Sequence, residues 1–275
     1  MKKKKRLSDT ILFIATWLFA GLTLMFLLMI VWHILSNGIP HLSPTLFEVQ
    51  FTTANQSMFP SIIATIAVVG LTLLFAVPIG IFTSIYLNEY TKRGNKIVPI
   101  IRRATEMLAG IPSIVYGLFG MLFFVGTLQM GFSMLAGSLT LTIMILPLVI
   151  RTTEEALKSV PDGYREGAFA LGAGKLRAVF RTVMPSAMPG ILAGVILAVG
   201  RIVGETAALI FTAGSVAQLP TSVDVSVRTL AVHMWQLASE GHWTNEAYAT
   251  AVVLLLIVFL INTLSAFIAK KIARV

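Results

Sequence analysis

The chain has 275 residues, 56% of them hydrophobic and only 12% charged, against roughly 25% charged in an ordinary soluble domain, which excludes a soluble globular protein. Its 21 Lys and Arg against 12 Asp and Glu give a formal charge of +9. In a soluble protein that balance would suggest nucleic acid, but here the charges are segregated by position and no nucleic acid is expected as a partner.

Stretches free of Asp, Glu, Lys and Arg run over residues 10–47, 49–88, 107–150, 182–200 and 247–269. Several exceed the ~20 residues with which a helix crosses ~30 Å of hydrocarbon, so the chain is expected to be embedded in a lipid bilayer. With no Cys, neither a disulfide framework nor a thiol nucleophile is available. Residues 1–10 form a basic N-terminus, Met1-Lys2-Lys3-Lys4-Lys5-Arg6 and onward, similar to the start of a signal peptide. The apolar segment 11–35 is too long for a signal sequence, and Trp32-His33 stands where small residues would precede cleavage, so this segment is expected to be a retained first span.

Residues 36–60 form a polar external segment, and 61–275 the remaining body with five further spans, near 61–87, 105–129, 132–150, 188–211 and 247–269. The uncharged run 107–150 is long enough for two helices, with residues 131–137 placed where they would reverse. Pro78-Ile79-Gly80 and Gly110-Ile111-Pro112 interrupt their helices, either as plain kinks or to free backbone groups for a pathway. The external segments 36–60 and 212–246 are either solvated connectors or a landing surface for a soluble partner. The fold class is all-α, with six transmembrane helices.

Lys and Arg are retained on the cytoplasmic side of short loops. In a six-span arrangement, nineteen of the 21 basic residues fall on one side: the N-terminal five, Lys92, Arg93, Lys96, Arg102 and Arg103, the six within 151–181, and three after the last span. Both termini are therefore expected in the cytoplasm. An odd number of spans would divide the basic loops between the two faces.

The cytoplasmic loop 151–187 is too long and too patterned for a connector. Asp162 is placed to cap a short helix with Tyr164, Ala168 and Leu171 on one face, Gly172 to end it in a left-handed conformation, and a second short helix from Lys175 to reach Pro185. Such a hairpin fits a groove on another protein, or else lies on the inner leaflet.

Glu166-Gly167-Ala168, Gly172 and Pro185 at their spacing resemble the EAA loop of bacterial ABC-importer permeases. Gly110-Ile-Pro-Ser-Ile-Val-Tyr-Gly-Leu-Phe-Gly120, Leu146-Pro-Leu-Val-Ile-Arg-Thr-Thr-Glu-Glu155 and Gly200-Arg-Ile-Val-Gly-Glu-Thr-Ala-Ala-Leu-Ile-Phe-Thr-Ala213 are similar to the permeases of phosphate-specific ABC importers of the PstA type. Gly167, Thr182, Met184 and Ala208 depart mildly from the usual pattern. The resemblance implies a MetI-like permease fold and coupling through Tyr164, Glu166, Gly167, Ala168, Leu171, Gly172 and Pro185. It also implies a second, PstC-like permease, a PstB-like ATPase dimer and an extracytoplasmic PstS-like phosphate-binding protein.

The chain is expected to be a transport subunit, not an enzyme. Its nearest approach to a phosphate-cradling loop is Gly174-Lys175, where Phe169 replaces the first glycine and Leu176 the metal-binding Ser or Thr. No cofactor is expected on this chain, with ATP and magnesium belonging to the partner ATPase. His33, His41, His233 and His242 have no metal-ligand spacing.

Arg201 and Glu205 are four apart in the fifth span, hence expected on one helix face. Arg201 lies fifteen residues past Ser186, about 22 Å along a helix, where insertion of an Arg costs roughly 2.5–3.5 kcal/mol. A guanidinium fork suits a tetrahedral oxyanion, with Glu205 steadying it or accepting from a protonated phosphate; a purely structural Arg–Glu pair is the alternative. Arg151 and Glu154 end the fourth span, either as boundary residues or, as the resemblance implies, on the phosphate path. Glu106 reads as an interfacial helix residue. A permease for molybdate, sulfate or phosphonate, a secondary transporter and an intramembrane enzyme are the rival functions, the last two lacking internal repeats and a nucleophile–base pair respectively.

Overall fold

Hydrocarbon satisfies no backbone N–H or C=O, so a chain this apolar must close its hydrogen bonds within each spanning segment. The computed structural model describes residues 7–91 and 94–272. The basic run 1–6, Lys92, Arg93 and residues 273–275, which include Arg274, lie outside the described residues. Among the described residues all regular structure is helical.

Helix α1 (Leu7–Gly38) is followed by two short turns of 3₁₀ helix and then α2 (Phe59–Ile85), which runs on into a π-helical turn, Tyr86–Tyr90. Helices α3 (Ile97–Ala109) and α4 (Ser113–Gly120) come next, the latter extended by a wide turn over Met121–Thr127. Helix α5 (Met134–Lys158) leads to the hairpin of α6 (Asp162–Ala170) and α7 (Lys175–Ala178). From α7 the chain continues without a break through Val179–Val183 into α8 (Met184–Val203). The short α9 (Ala207–Ile210), α10 (Leu230–Glu240) and α11 (Thr244–Ile272) complete the chain.

Five helical segments are long and apolar enough to span a bilayer: Ile11–His41, Phe59–Tyr90, Met134–Lys158, Lys175–Val203 and Thr244–Phe267. The sixth candidate, Ile97–Ala109 with Ser113–Thr127, is bent by 99°. The window expected at 105–129 is therefore not one straight helix. Pro112 has no N–H to continue α3, and the chain turns there. The reversal before α5 uses Gln129 and Gly131 with positive φ, whereas Gly137 sits within α5. The fifth span starts earlier than expected, at Lys175, and stops at Val203 instead of continuing to Phe211.

Helix α5 is the centre of the bundle. Its Leu141, Met144, Ile145 and Val149 are buried with Val68 and Ala76 of α2 and Ala198 and Ile202 of α8. Close approach of α2 and α5 depends on Gly80, where a Cβ would lie 2.6 Å from Val149 Cγ1. One turn on, the Ser84 hydroxyl donates to the Ile150 carbonyl at 2.8 Å. By contrast, no residue in the apolar stretch of α1 is fully buried against the rest of the chain. Its C-terminal end packs on α11, with His33 Nε2 3.2 Å from the Tyr248 hydroxyl.

The segment 36–60 is more than a connector, since Leu46 and Met58 are buried with Leu230, Ala249 and Val253. Beside them a buried guanidinium holds the loops together. Arg228 donates from Nε to the Ser215 carbonyl at 2.7 Å, approaches His233 Nδ1 at 3.3 Å and lies 5.0 Å from the Phe51 ring centroid. Burial, with the Arg228 charge second, pushes the His233 imidazole down from 6.5 to about 4. An imidazole held neutral in the folded state but free to charge when unfolded stabilises the fold above about pH 6.5, and that contribution is lost as pH falls toward 4. The difference amounts to about 3 kcal/mol. Detergent-solubilised protein is thus expected to lose thermal stability between pH 6.5 and 4, and His233→Gln is expected to flatten that slope in a melting series.

Candidate functional site

Two helix breaks adjoin at one level of the bundle. At the α3–α4 bend, Gly110 and Ile111 donate to the Met107 and Leu108 carbonyls at 3.2 and 3.1 Å, tightening the end of α3. Buried Tyr116 then reaches back across the bend, its hydroxyl donating to the Leu108 carbonyl at 2.7 Å. The other break follows α8. Glu205 N–H donates to the Ile202 carbonyl at 3.1 Å, and the Glu205 carboxylate accepts from Ala208 N–H at 3.1 Å, capping α9. Helix α4 lies directly on α9, because a Cβ at Gly117 would be 2.9 Å from Ala208 Cα.

Arg201 lies in the last turn of α8, exposed on a stripe with Ala193, Leu197 and Gly204. The expectation that Arg201 and Glu205 share a helix face is overturned. Helical spacing stops at Val203, Glu205 is buried, and among the described residues Arg201 forms no ion pair. The physical reason is that a break in hydrocarbon frees backbone N–H groups, and the carboxylate is consumed in accepting from one of them.

At the other end of the bundle, Arg151 and Glu154 turn to separate partners. Exposed Arg151 donates to Glu155 at 3.0 Å. Buried Glu154 pairs with Arg102 of α3 and, at 2.9 Å, with Lys158. These residues and Glu106 line a cavity of about 210 Å³ between α3 and α5. Arg102 was not singled out by the sequence, since it looks like any other basic residue of a cytoplasmic loop.

The hairpin presents Tyr164, Glu166, Gly167 and Leu171 to solvent, with Ala168 half-buried, and Leu171 is 90% exposed. Tyr164, Gly167, Ala168 and Leu171 line an open groove with Pro161 and Thr182. Gly172 has φ +78°, and the paired bonds from Gly172 N–H to Phe169 and from Ala173 N–H to Ala168 at 2.9 and 3.0 Å close α6 as its sequence suggests. Two expectations are corrected. Asp162 does not cap α6, because Pro161 precedes the helix and Asp162 already lies in its first turn, its side chain facing Arg165 at 3.3 Å. The helix from Lys175 does reach Pro185, but it is not short: Pro185 stands in the first turn of α8, after a wide turn that carries α7 straight into the span. Arg165, with Glu89 just past the end of α2, forms a half-buried ion pair that the sequence did not point to, as the two lie 76 positions apart.

The architecture is that of a multi-pass membrane permease of ABC importers. Residues 76–274 match the family described as binding-protein-dependent transport system inner membrane component, and the chain belongs to that family. Among curated relatives, the phosphate transport system permease protein PstA of Yersinia pestis is 35% identical, covering 98% of this chain and 92% of that protein. The probable ABC transporter permease protein YqgI of Bacillus subtilis is 31% identical, covering 76% of each. Among solved structures, a subunit of a bacterial alginate ABC transporter superposes with TM-score 0.71 at 16% identity, covering 97% of this chain and 96% of that one. A chain of the inward-facing MetNI methionine ABC transporter gives 0.61 at 19% identity, covering 78% and 94%. At these identities the structures speak for the fold alone.

The buried Glu154 carboxylate ties α3 to α5 at this end, beside the apolar packing of Val98 and Ile101 on Leu146 and Ile150. Glu154→Gln is expected to lower stability in detergent by about 1–3 kcal/mol, the cost of leaving groups packed against a buried site without their partner. A melting curve compared with that of Glu155→Gln, whose carboxylate is exposed and should matter far less, checks it.

Proposed function

We propose that the chain is the permease subunit of an ATP-driven importer of inorganic phosphate. It would work with a second permease, an ATPase dimer bound at the α6–α7 hairpin and an extracytoplasmic phosphate-binding protein. The clustering of basic residues on one side supports cytoplasmic termini. Similarity to phosphate permeases over nearly the whole chain supports the substrate. The absence of a complete phosphate-cradling loop supports an energy source on another subunit.

The single observation that carries this reading is Arg201: a cation in a spanning helix, exposed on the chain's own surface and without an ionic partner among the described residues. Facing lipid, it would cost roughly 2.5–3.5 kcal/mol. Facing a pathway shared with the second permease, it offers a planar fork of donors to a partly dehydrated tetrahedral oxyanion. Glu205 contributes by fixing the break that leaves Arg201 at a helix end, not by pairing with it. Arg151, exposed at the far end of the pathway, would form a second weak station from which the anion leaves, with Glu154 beside it held by Arg102 and Lys158. Two moderate sites in series conduct better than one tight one.

Alternating access would arise as the ATPase dimer closes and reopens on the hairpin, which requires that its two states hold α6 differently. The exposed side chains of Tyr164 and Leu171 are the apolar anchors for that contact.

Reconstitution with the second permease, the ATPase and the binding protein tests the proposal by comparing phosphate with sulfate uptake. Wild type is expected to accumulate phosphate. Arg201→Gln is expected to reduce uptake about 10- to 100-fold, as for loss of a charge-assisted hydrogen bond worth about 1.5–3 kcal/mol. Unchanged uptake by a fully assembled Arg201→Gln complex would remove Arg201 from the pathway. Equal uptake of sulfate would remove the phosphate assignment.

A further inference from the structure

Helix α6 is exposed over most of its length, yet its long cationic side chain, Arg165, is largely withdrawn from water. The Arg165 side chain is 16% exposed, and its partner Glu89 7%. Arg165 Nη2 donates to Glu89 Oε1 at 2.7 Å and to the Leu157 carbonyl at 3.0 Å. Its Nε meets the two Glu89 oxygens at 3.2 and 3.3 Å. Its Nη1 donates to the Val160 carbonyl at 2.9 Å and faces Asp162 Oδ1 at 3.3 Å. The hydrogen bond to Glu89 is the largest influence on the guanidinium and raises its pKa further above an already high range. All three nitrogens are thus used, two of them to bind one carboxylate edge-on and two to collect carbonyls from the end of α5.

The second limb of the hairpin makes a separate contact at the same place. Lys175 Nζ, at the start of α7, stands 5.1 Å from the ring centroid of Tyr90. Glu89 and Tyr90 are the last two residues of the π-helical turn that ends α2. Wide turns of this kind give poorer hydrogen-bond geometry than α-helix and recur at functional positions. Above that turn α2 is locked to α5 by the Gly80 contact with Val149 and the bond from Ser84 to Ile150.

We propose that Arg165 is the positioning residue through which displacement of the α6–α7 hairpin reaches the membrane spans, gripping the π-helical turn Tyr86–Tyr90 of α2 by way of Glu89, with Lys175 on Tyr90 as the second hold. This rests on the reading of the hairpin as the ATPase contact. Apart from this grip, α6 is joined to α5 through Ser159–Pro161 and to α7 through Leu171–Gly174, while α7 itself runs on without a break into α8. A push on α6 would be taken up partly at those two connections unless a rigid cross-link carries it on to α2. A bidentate, desolvated Arg–Glu pair is stiff in that sense, whereas a Lys ammonium is a point charge on a flexible stem. Arg165 touches neither nucleotide nor transported anion, so its contribution is to how much movement is delivered per ATP hydrolysed.

The test is made in the fully assembled, reconstituted importer, with ATP hydrolysis and inorganic phosphate uptake measured on the same vesicles. Arg165→Ala and Glu89→Gln are expected to retain the ATPase and keep hydrolysis within about threefold of wild type, while phosphate moved per ATP falls at least tenfold. Arg165→Lys is expected to be intermediate, and exchange of the pair, Arg165→Glu with Glu89→Arg, to recover part of the lost ratio. A merely structural role would lower hydrolysis and uptake together and leave their ratio unchanged. That result, or a wild-type ratio in every variant, would overturn the proposal. Leu171→Asp on the outer face of the hairpin separates this inference from the reading beneath it. Retention of the ATPase by Leu171→Asp would sink the docking reading itself. Detachment of the ATPase by Leu171→Asp, together with a wild-type ratio in the Arg165 variants, would sink this inference alone.

Discussion

Hydrocarbon accepts neither an unpaired backbone amide nor an unanswered charge, and the rest of this structure follows from how the chain meets those two demands. Each long span closes its own backbone bonds. Where a span is interrupted, a side chain stands in: Tyr116 for the end of α3, and Glu205 for the start of α9. The two interruptions adjoin, with Gly117 allowing α4 to lie on α9, so each is sheltered by the other instead of by lipid. The same demand makes Arg201 the outlier of the molecule. At this junction Tyr116 and Glu205 are each answered by a backbone group, whereas Arg201 forms no ion pair among the described residues and is turned outward.

The opposite end of the bundle obeys water's rules and is organised by ion pairs between distant elements. Glu154 joins α5 to α3 through Arg102, and Arg165 joins the hairpin to α2 through Glu89. In both, the carboxylate is the more withdrawn partner and the cation the more exposed, so each pair is anchored in the bundle through its acid. Exposed pairs such as Arg151 with Glu155 lie among them and carry much less energy. Burial distinguishes a tether from a solvated pair, and burial is set by which helices happen to meet.

Much of the fold was legible in the sequence because it depends on quantities summed over many residues. Uncharged stretches of sufficient length marked the spans, and Pro112 and Gly172 marked stops that depend on local backbone chemistry. The exposed face of α6 was readable from Tyr164, Ala168 and Leu171 at helical spacing. What failed were inferences that assumed a helix continues. Arg201 and Glu205 are four apart, and only the interruption at Gly204 decides that they diverge. The bend that splits the third span was marked by Gly110-Ile111-Pro112, yet its 99° size was not, because a proline fixes where a helix stops and not the direction in which the chain leaves.

The sequence alone settled that this is an all-helical membrane protein with a patterned hairpin on its basic side, since hydropathy, charge distribution and turn chemistry are local and additive. Tertiary structure decided which charges are partnered and which are not. Glu89 and Arg165 lie 76 residues apart, Arg102 and Glu154 meet across two helices, and Glu205 serves a backbone amide instead of its expected arginine. Pairing energies fall off within a few ångströms, and distance in space is not written in distance along the chain.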